Sequence, residues 1–170
     1  MLIEKFFTKI FIMKKTLTEA SAVIELAFAE AEYMPASAVS PAEIAVAEER
    51  YIVPVTGRPL YEKMLEGEYP ELRDEYVAPA AAYFTRLGMQ PSTDVRTGRF
   101  GSAVPRSAYS QPADRLLLLD LRRSLLGKAR TLQRRLSDHL EQYAADYPEY
   151  SSENNILNRC STDGGIVQIF

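Results

Sequence analysis

The sequence is poor in the residues from which disulfides, metal centres and nucleophilic sites are built. Its 170 residues include one cysteine, one histidine and no tryptophan. The single cysteine, Cys160, excludes an internal disulfide and fits a reducing compartment. The histidine, His139, stands beside Leu140 and completes neither a metal-ligand set nor a Ser/His/Asp arrangement. We therefore expect neither an enzyme nor a bound metal or cofactor.

A long uninterrupted apolar run is also absent. The first fifteen residues, MLIEKFFTKIFIMKK, are apolar, but Glu4, Lys5 and Lys9 break the run. This charge pattern differs from that of a secretory signal, and the segment is too short to cross a bilayer. We expect residues 1–15 to be an N-terminal arm or extension, with Met1 and Met13 both open as the start. No membrane partner is expected.

The net charge of −3 conceals an uneven distribution of acids and bases. Residues 16–50 contain seven acids and one base, Arg50, whereas residues 91–135 contain ten bases and three acids. The pattern predicts one acidic and one basic surface. Three interpretations stay open: head-to-tail self-association, a polyanionic partner, or two solvated faces without a partner.

The stretch from Ser40 to Tyr61 predicts a helix followed by a sharp corner. Ser40 and Glu43 have the spacing of a reciprocal capping box, and Pro41 occupies the first helical position. Ile44, Ala47, Tyr51 and Val55 form an apolar stripe from which Glu48 and Glu49 mostly diverge. Pro54 should end or kink the helix near Val53, and Gly57 should adopt a positive φ. The expected structural corner is Ser40, Glu43, Tyr51, Pro54 and Gly57.

Four further helical segments follow from a period of three to four residues: 16–31, 59–65, 70–88 with a kink at Pro79, and 113–147. Gly67 should stop the second of these, and Pro70 should start the third. The first is predicted to pack through Leu17, Ala20, Ile24 and Phe28. The predicted fold is all-α: a small helical bundle over residues 16–147, with one long C-terminal helix. In that helix the leucines at 116, 117 and 119 extend the apolar stripe, so its first turns should be buried on several sides. Gly127 should mark a close approach of another backbone.

Residues 89–112 and 148–170 depart from the helical pattern. The first segment, rich in proline, glycine and serine, predicts a long basic loop, in which Val95–Phe100 forms a hairpin turning at Thr97-Gly98. The second predicts a tail with a turn at Asp163-Gly164-Gly165 and a strand-like end.

An arginine row follows one face of the long helix. Arg123, Arg130 and Arg134 recur at helical spacing, which suits a solvated face, contacts with phosphates, or contacts with the acidic surface of a second copy. The candidate interaction residues, for assembly or DNA, are Arg96, Arg99, Arg106, Arg123, Arg130, Arg134, Ile166, Val167, Ile169 and Phe170.

The corner resembles part of a known family. The run Ala47-Glu48-Glu49-Arg50-Tyr51-Ile52, followed by Pro54, Thr56-Gly57-Arg58 and Leu60-Tyr61, resembles small helical head–tail connector (head-completion adaptor) proteins of tailed phages. More closely, the chain resembles an uncharacterised family of similar length in Bacteroidetes genomes and their phages. The features that carry this second likeness are Ile24-Glu25-Leu26-Ala27-Phe28, the corner, Tyr76-Val77 with Pro79, the arginine-rich helix, Asn154-Asn155 and Asn158-Arg159-Cys160.

The resemblance implies a structural protein that forms a homo-oligomeric ring between the portal and tail-side proteins, with DNA passing through its lumen. Such a protein belongs in the virion or the bacterial host cytoplasm. The alternative from the residues themselves is a helical DNA-binding protein that uses the arginine row.

Overall fold

The computed structural model describes residues 15–28, 34–94, 96–98, 101–103 and 114–159, and over these residues the fold is all-α. No helix among them is long and apolar enough to cross a membrane. The helices are α1 (Ala20–Ala27), α2 (Pro41–Ala47), α3 (Val53–Thr56), α4 (Arg58–Glu66), α5 (Pro70–Leu72), α6 (Ala78–Asp94) and α7 (Arg115–Gln142). Two π-helical segments, Glu48–Ile52 and Arg73–Val77, join α2 to α3 and α5 to α6. Single 3₁₀ turns cover Ala36–Ala38, Ala144–Asp146 and Ser152–Asn154.

The start of α2 confirms the predicted cap and corrects the capping box. The Ser40 hydroxyl accepts a hydrogen bond from the Ala42 amide at 3.2 Å. The Glu43 amide instead donates to the Ser40 carbonyl at 3.0 Å, and a carboxylate oxygen of Glu43 lies beside Gly88 of α6. Ser40 thus satisfies one of the free amides of the first turn, as an N-cap should.

The chain passes both Pro54 and Pro79 through a widened helical turn. The Val53 amide donates to Glu48 and the Ala78 amide to Arg73, five residues back in each case. Each of these residues precedes a proline, which has no amide and crowds the carbonyl four residues before it. The wider π turn opens the helix at this point, so the prolines do not end it. Of the two alternatives predicted at Pro54, an end or a kink, the end near Val53 is excluded, since α3 continues to Thr56.

Two glycines end helices as predicted. Gly57 follows α3 with φ 79° and ψ 154°, a conformation that is essentially confined to glycine. Gly67 ends α4 in the left-handed region, with φ 102° and ψ 7°. Pro70 then begins α5, after Tyr69 at φ 55°.

The helix α6 continues past Gly88, where the sequence predicted its end, to Asp94. The predicted loop therefore begins six residues later than residue 89. A hairpin follows, with β1 (Arg96–Gly98) antiparallel to β2 (Gly101–Ala103). Gly98 pairs with Gly101, so the turn lies after Gly98 and not at Thr97-Gly98.

The first helix is shorter than predicted, and the predicted residues Ala20, Ile24 and Phe28 pack half-buried against the cluster that holds its two buried residues. It begins at Ala20, and its buried residues are Val23 and Ala27, whereas Ala20 and Ile24 are half-buried. Arg86 of α6 donates to the Ala27 carbonyl, and its guanidinium lies 4.4 Å from the Phe28 ring centre. A buried cation thus satisfies the carboxyl end of α1.

The helices α6 and α7 pack against each other and run antiparallel. Tyr76, just before α6, stacks on His139 near the end of α7, and further along α6 Tyr83 lies 5.9 Å from Lys128 Nζ. The main core fills the space between the corner, the first turns of α6 and the second half of α7. Its members include Ile52, Val55, Leu60, Tyr61, Met64, Val77, Leu136 and Leu140.

Candidate interaction surface

The predicted arginine row is exposed on α7. Steps of seven and four residues return Arg123, Arg130 and Arg134 to one side of the helix. Arg123 pairs with Asp120 at 3.3 Å. Among the described residues no acid lies within ion-pair distance of Arg130 or Arg134. The row is a cationic surface on which two of the three guanidinium groups have no carboxylate partner within the described part of the subunit.

Gly127 lies on the same exposed face as the row. A Cβ at this position would meet no heavy atom within 4 Å in the part of the chain that the structure describes. The close backbone approach that the sequence predicted is thus absent within those residues.

The first turns of α7 are exposed, which contradicts the prediction that they are buried on several sides. Leu116 is 68%, Leu117 63% and Leu119 39% exposed. The start of α6, the corner and the tail all pack further along α7, against its second half. Leu116 and Leu117 point in directions about 100° apart, so one neighbouring helix could cover only part of this surface.

The acidic surface lies elsewhere than residues 16–50. Glu48 is fully buried, and Glu49 pairs with Arg58. Glu30 and Glu32 lie outside the described residues, which leaves Glu19 and Glu25 as the exposed acids of that segment. A denser run follows the corner, and we call it the acidic surface: Glu66, Glu68, Glu71, Asp74 and Glu75, all of them exposed. Arg73 pairs with Asp74 inside it, and Lys63 pairs with Glu66 and Glu68.

A groove of about 520 Å³ lies next to the acidic surface, between Tyr76 and the last turns of α7. The Tyr76 and His139 rings stack at 4.0 Å, and His139 Nε2 lies 3.0 Å from the Tyr147 hydroxyl. Arg135 covers Tyr76 at 4.8 Å, and Tyr143, 43% exposed, forms part of the wall. Burial lowers the pKa of His139, although nearby Glu75 opposes this shift. A neutral imidazole makes this an aromatic groove with a charged rim.

Glu48 is the residue whose position the sequence analysis missed. It is fully buried in the first π segment, and its carboxylate accepts hydrogen bonds from Leu17 N at 3.1 Å, Thr18 N at 2.9 Å and the Tyr61 hydroxyl at 2.9 Å. Burial raises the pKa of Glu48 above its usual value, while these three donors lower it. A signal was present: Ile44 and Ile52, four residues away on either side, are both buried. Glu48 anchors the segment before α1 to the corner.

The tail is fastened to the same corner from the other end of the chain. The Ile156 amide donates to the Pro54 carbonyl at 2.9 Å. Asn155 is fully buried and donates from Nδ2 to the Ser137 hydroxyl and to the Tyr150 hydroxyl, both at 2.8 Å. The Tyr150 hydroxyl in turn donates to Glu141, which lowers the pKa of that carboxyl. These bonds fix residues 150–158 against α7 and α3.

Several predicted site residues cannot be placed on these surfaces. Arg99, Arg106, Ile166, Val167, Ile169 and Phe170 lie outside the described residues, as does Cys160, and only the backbone of Arg96, in β1, is described. Within the described ranges no group of three or more His, Cys, Asp or Glu side chains could hold a metal ion. The arrangement offers surfaces for contact: an exposed apolar helix end, a cationic row and an acidic surface beside an aromatic groove.

Comparison with known proteins places the chain in a family. Residues 45–159, more than half of the chain, match the model of a family of unknown function, DUF6712, and the chain belongs to that family. The matched region includes the corner from Tyr51 to Gly57, the acidic surface, α7 and the fastened tail. No curated protein and no solved structure matches the chain.

Proposed function

We propose that this member of the DUF6712 family is a structural adaptor of a tailed phage or prophage. In this proposal, copies of the chain form a ring at the junction of portal and tail, and DNA passes through the ring. The resemblance of the Ala47–Tyr61 segment to head–tail connectors supports the assignment. The subunit would then act in the virion, or in the host cytoplasm during assembly, with portal and tail-side proteins as neighbours.

The observation that carries the proposal is the polarity of the subunit along α7. Exposed leucines occur at the start of this helix, the arginine row follows one of its exposed faces, and the acidic surface lies beside its end. Two unlike surfaces on one chain favour a heterologous contact, in which one patch of a copy meets a different patch of the next. Such contacts close into a ring when the rotation between copies permits it.

The arginine row supports one alternative, a helical DNA-binding protein. Three exposed arginines on one helix face can neutralise phosphates, which makes binding strongly dependent on salt. The row contains no aromatic side chain on which a base could stack, so this alternative would rest on electrostatics alone.

The reversal of the row, Arg123→Glu with Arg130→Glu and Arg134→Glu, separates the two functions. For an adaptor we expect wild type to self-associate in sedimentation velocity, more weakly at high salt, and the triple variant to associate less while it keeps its helical circular dichroism. Duplex DNA titration is the second measurement. A strictly monomeric wild type that binds duplex DNA tightly, with binding lost in the triple variant, would establish the alternative.

Arg50→Glu is the matched control for charge reversal. Arg50 is exposed on the corner and is not part of the row, so this variant should associate as wild type does. The adaptor role itself is tested in a phage or prophage that encodes the chain. Loss of the chain should leave DNA-filled heads and separate tails in electron micrographs. Intact particles from such a mutant would contradict the proposal.

A further inference from the structure

The exposed start of α7 and the acidic surface lie at opposite ends of the subunit. Tyr76, which follows Glu75, stacks on His139 at 4.0 Å, and the ring of Tyr69, which follows Glu68, lies 5.2 Å from that of Tyr147. These contacts place the acidic surface beside the end of α7. From Leu117 to His139 the helix rises about 33 Å, at 1.5 Å per residue. One rigid subunit cannot bring these two surfaces together, so a contact between them requires two copies.

The charges of the two surfaces are complementary. Residues 114–130 contain five bases and two acids, whereas residues 66–75 contain five acids and one base. The base, Arg73, already pairs with Asp74, so Glu71 and Glu75 are available to a second chain. Opposite net charge on two exposed surfaces favours their encounter and fixes its orientation.

The apolar parts of the two surfaces also match. Leu116 and Leu117 are the most exposed leucines described, and the groove beside the acidic surface has aromatic walls from Tyr76, His139 and Tyr143. Arg134 and Arg135 on the groove rim are unfavourable to an incoming arginine, but Asp138 lines the same groove. An apolar side chain entering the groove avoids that repulsion, while arginines around it face Glu71 and Glu75.

We propose that the start of α7 in one copy docks against the acidic surface of the next copy. Leu116 and Leu117 enter the groove between Tyr76 and Tyr143, and Arg115 and its neighbours face the acidic surface. This inference rests on the proposed function, because it names the two surfaces through which the ring forms. Each copy contacts one neighbour through its helix start and the other neighbour through its acidic surface, so the contact is heterologous.

Two variants, each defective in one surface, test the contact. The helix-start variant carries Leu116→Ser and Leu117→Ser, and the acidic-surface variant carries Glu71→Lys and Glu75→Lys. All four side chains are exposed, so both variants should keep the circular dichroism and melting temperature of wild type. Alone, each should self-associate at least about tenfold more weakly than wild type in sedimentation velocity.

The decisive sample is an equimolar mixture of the two variants. The helix-start variant keeps a working acidic surface, and the acidic-surface variant keeps a working helix start. We expect the mixture to form one-to-one dimers and nothing larger, because each pair has one working contact and two defective ends. Val46→Ser is the matched control: Val46 is 61% exposed on α2, away from both surfaces, and this variant should associate as wild type does.

The outcomes distinguish this inference from the proposed function. If wild type associates and the helix-start variant associates equally well, another surface forms the contact and only the inference is overturned. A mixture that stays monomeric while both variants alone are impaired shows that the two surfaces do not meet each other, and it also overturns the inference alone. A wild-type chain that remains monomeric at the highest attainable concentration overturns both.

Discussion

The two halves of α7 have the same apolar pattern and opposite environments. In the second half Ala129, Leu136 and Leu140 are buried against the corner, α6 and the tail. In the first half Leu116 and Leu117 are mostly exposed, although they belong to an equally leucine-rich sequence. The difference lies in what faces each half. A period of three to four residues identifies the apolar face of a helix, but it does not show whether the chain supplies a neighbour to cover that face.

Several buried polar groups lie in the packed half or beside it. Asn155 and Ser137 bond each other there, and Glu48 and Tyr61 do so in the adjacent corner. Buried polar groups need defined partners, so this end has one specific arrangement. The exposed half has no comparable bonds to other elements in the described part of the chain. It is the half that is available to another chain.

The largest expected difference between the halves is in leucine truncation. Leu136→Ala removes a fully buried side chain and should lower the free energy of unfolding by about 3–5 kcal/mol, since a cavity remains. Leu117→Ala, 63% exposed, should change it by less than about 0.5 kcal/mol. Urea unfolding measures both. Equal losses would show that the first half of α7 is covered in the monomer.

The next largest effect concerns the buried carboxylate of the corner. Glu48→Ala leaves two amides and the Tyr61 hydroxyl without their acceptor and should cost about 2–4 kcal/mol, because unsatisfied buried donors are expensive. Glu49→Ala breaks only an exposed pair with Arg58 and should cost at most about 1 kcal/mol. The midpoints of denaturant unfolding of the two variants and of wild type measure both losses. Similar values for the two glutamates would contradict the anchoring role of Glu48.

At the corner, Gly57→Val should cost about 1–3 kcal/mol, since a branched side chain resists φ 79° with ψ 154°. The sequence alone predicts more damage here than at Glu48 or Glu49. Because Glu48 is buried, we expect Gly57→Val to cost more stability than Glu49→Ala but not more than Glu48→Ala. Thermal unfolding gives the comparison. A melting temperature equal to that of wild type would show that the backbone at residue 57 can take another conformation.

The smallest effect is a gain at the boundary between the halves. Gly127→Ala should stabilise the isolated subunit by about 0.5–1 kcal/mol, because alanine favours the helix and the site has open space. Ser124→Ala, also exposed on α7, is the control for helix propensity. Loss of stability in Gly127→Ala would place another part of the chain against this face.

The ionisation of Glu48 is tested by how the free energy of unfolding changes with pH. The pKa of Glu48 in the folded chain is raised above its ordinary value of 4.5. At a pH between 4.5 and the raised pKa, the folded chain therefore binds more protons than the unfolded chain. The free energy of unfolding of wild type minus that of Glu48→Gln should therefore fall as the pH rises from 4.5 and then level off above the raised pKa. Unfolding of both proteins at several pH values gives this difference. A difference that rises with pH would mean that the hydrogen bonds outweigh burial.

The local features of the fold could be predicted from the sequence. Ser40, Gly57, Gly67 and Pro70 act within one or two turns, and each marks the helix boundary expected of it. The apolar stripe of the second half of α7 is also confirmed. Pro54 and Pro79 were recognised as breaks, but the π turns that carry the helix past them depend on how the surrounding core holds it.

The candidate surfaces required information that no single segment contains. The burial of Glu48 depends on Leu17 and Thr18, which arrive from an earlier part of the chain. The exposure of Leu116 depends on where the other helices stop. The predicted position of the acidic surface was wrong for the same reason. A count of acids along the sequence does not distinguish the buried Glu48 or the paired Glu49 from an exposed carboxylate without a partner.

The bond from Ile156 to Pro54 has a consequence for synthesis on the ribosome. The corner is translated early, but one of its carbonyls receives its partner only when the tail has been made. Asn155, which fixes that part of the tail, likewise emerges after the whole of α7. A nascent or truncated chain that stops before residue 155 therefore has an unfinished corner, and completion of this fold is coupled to completion of the chain.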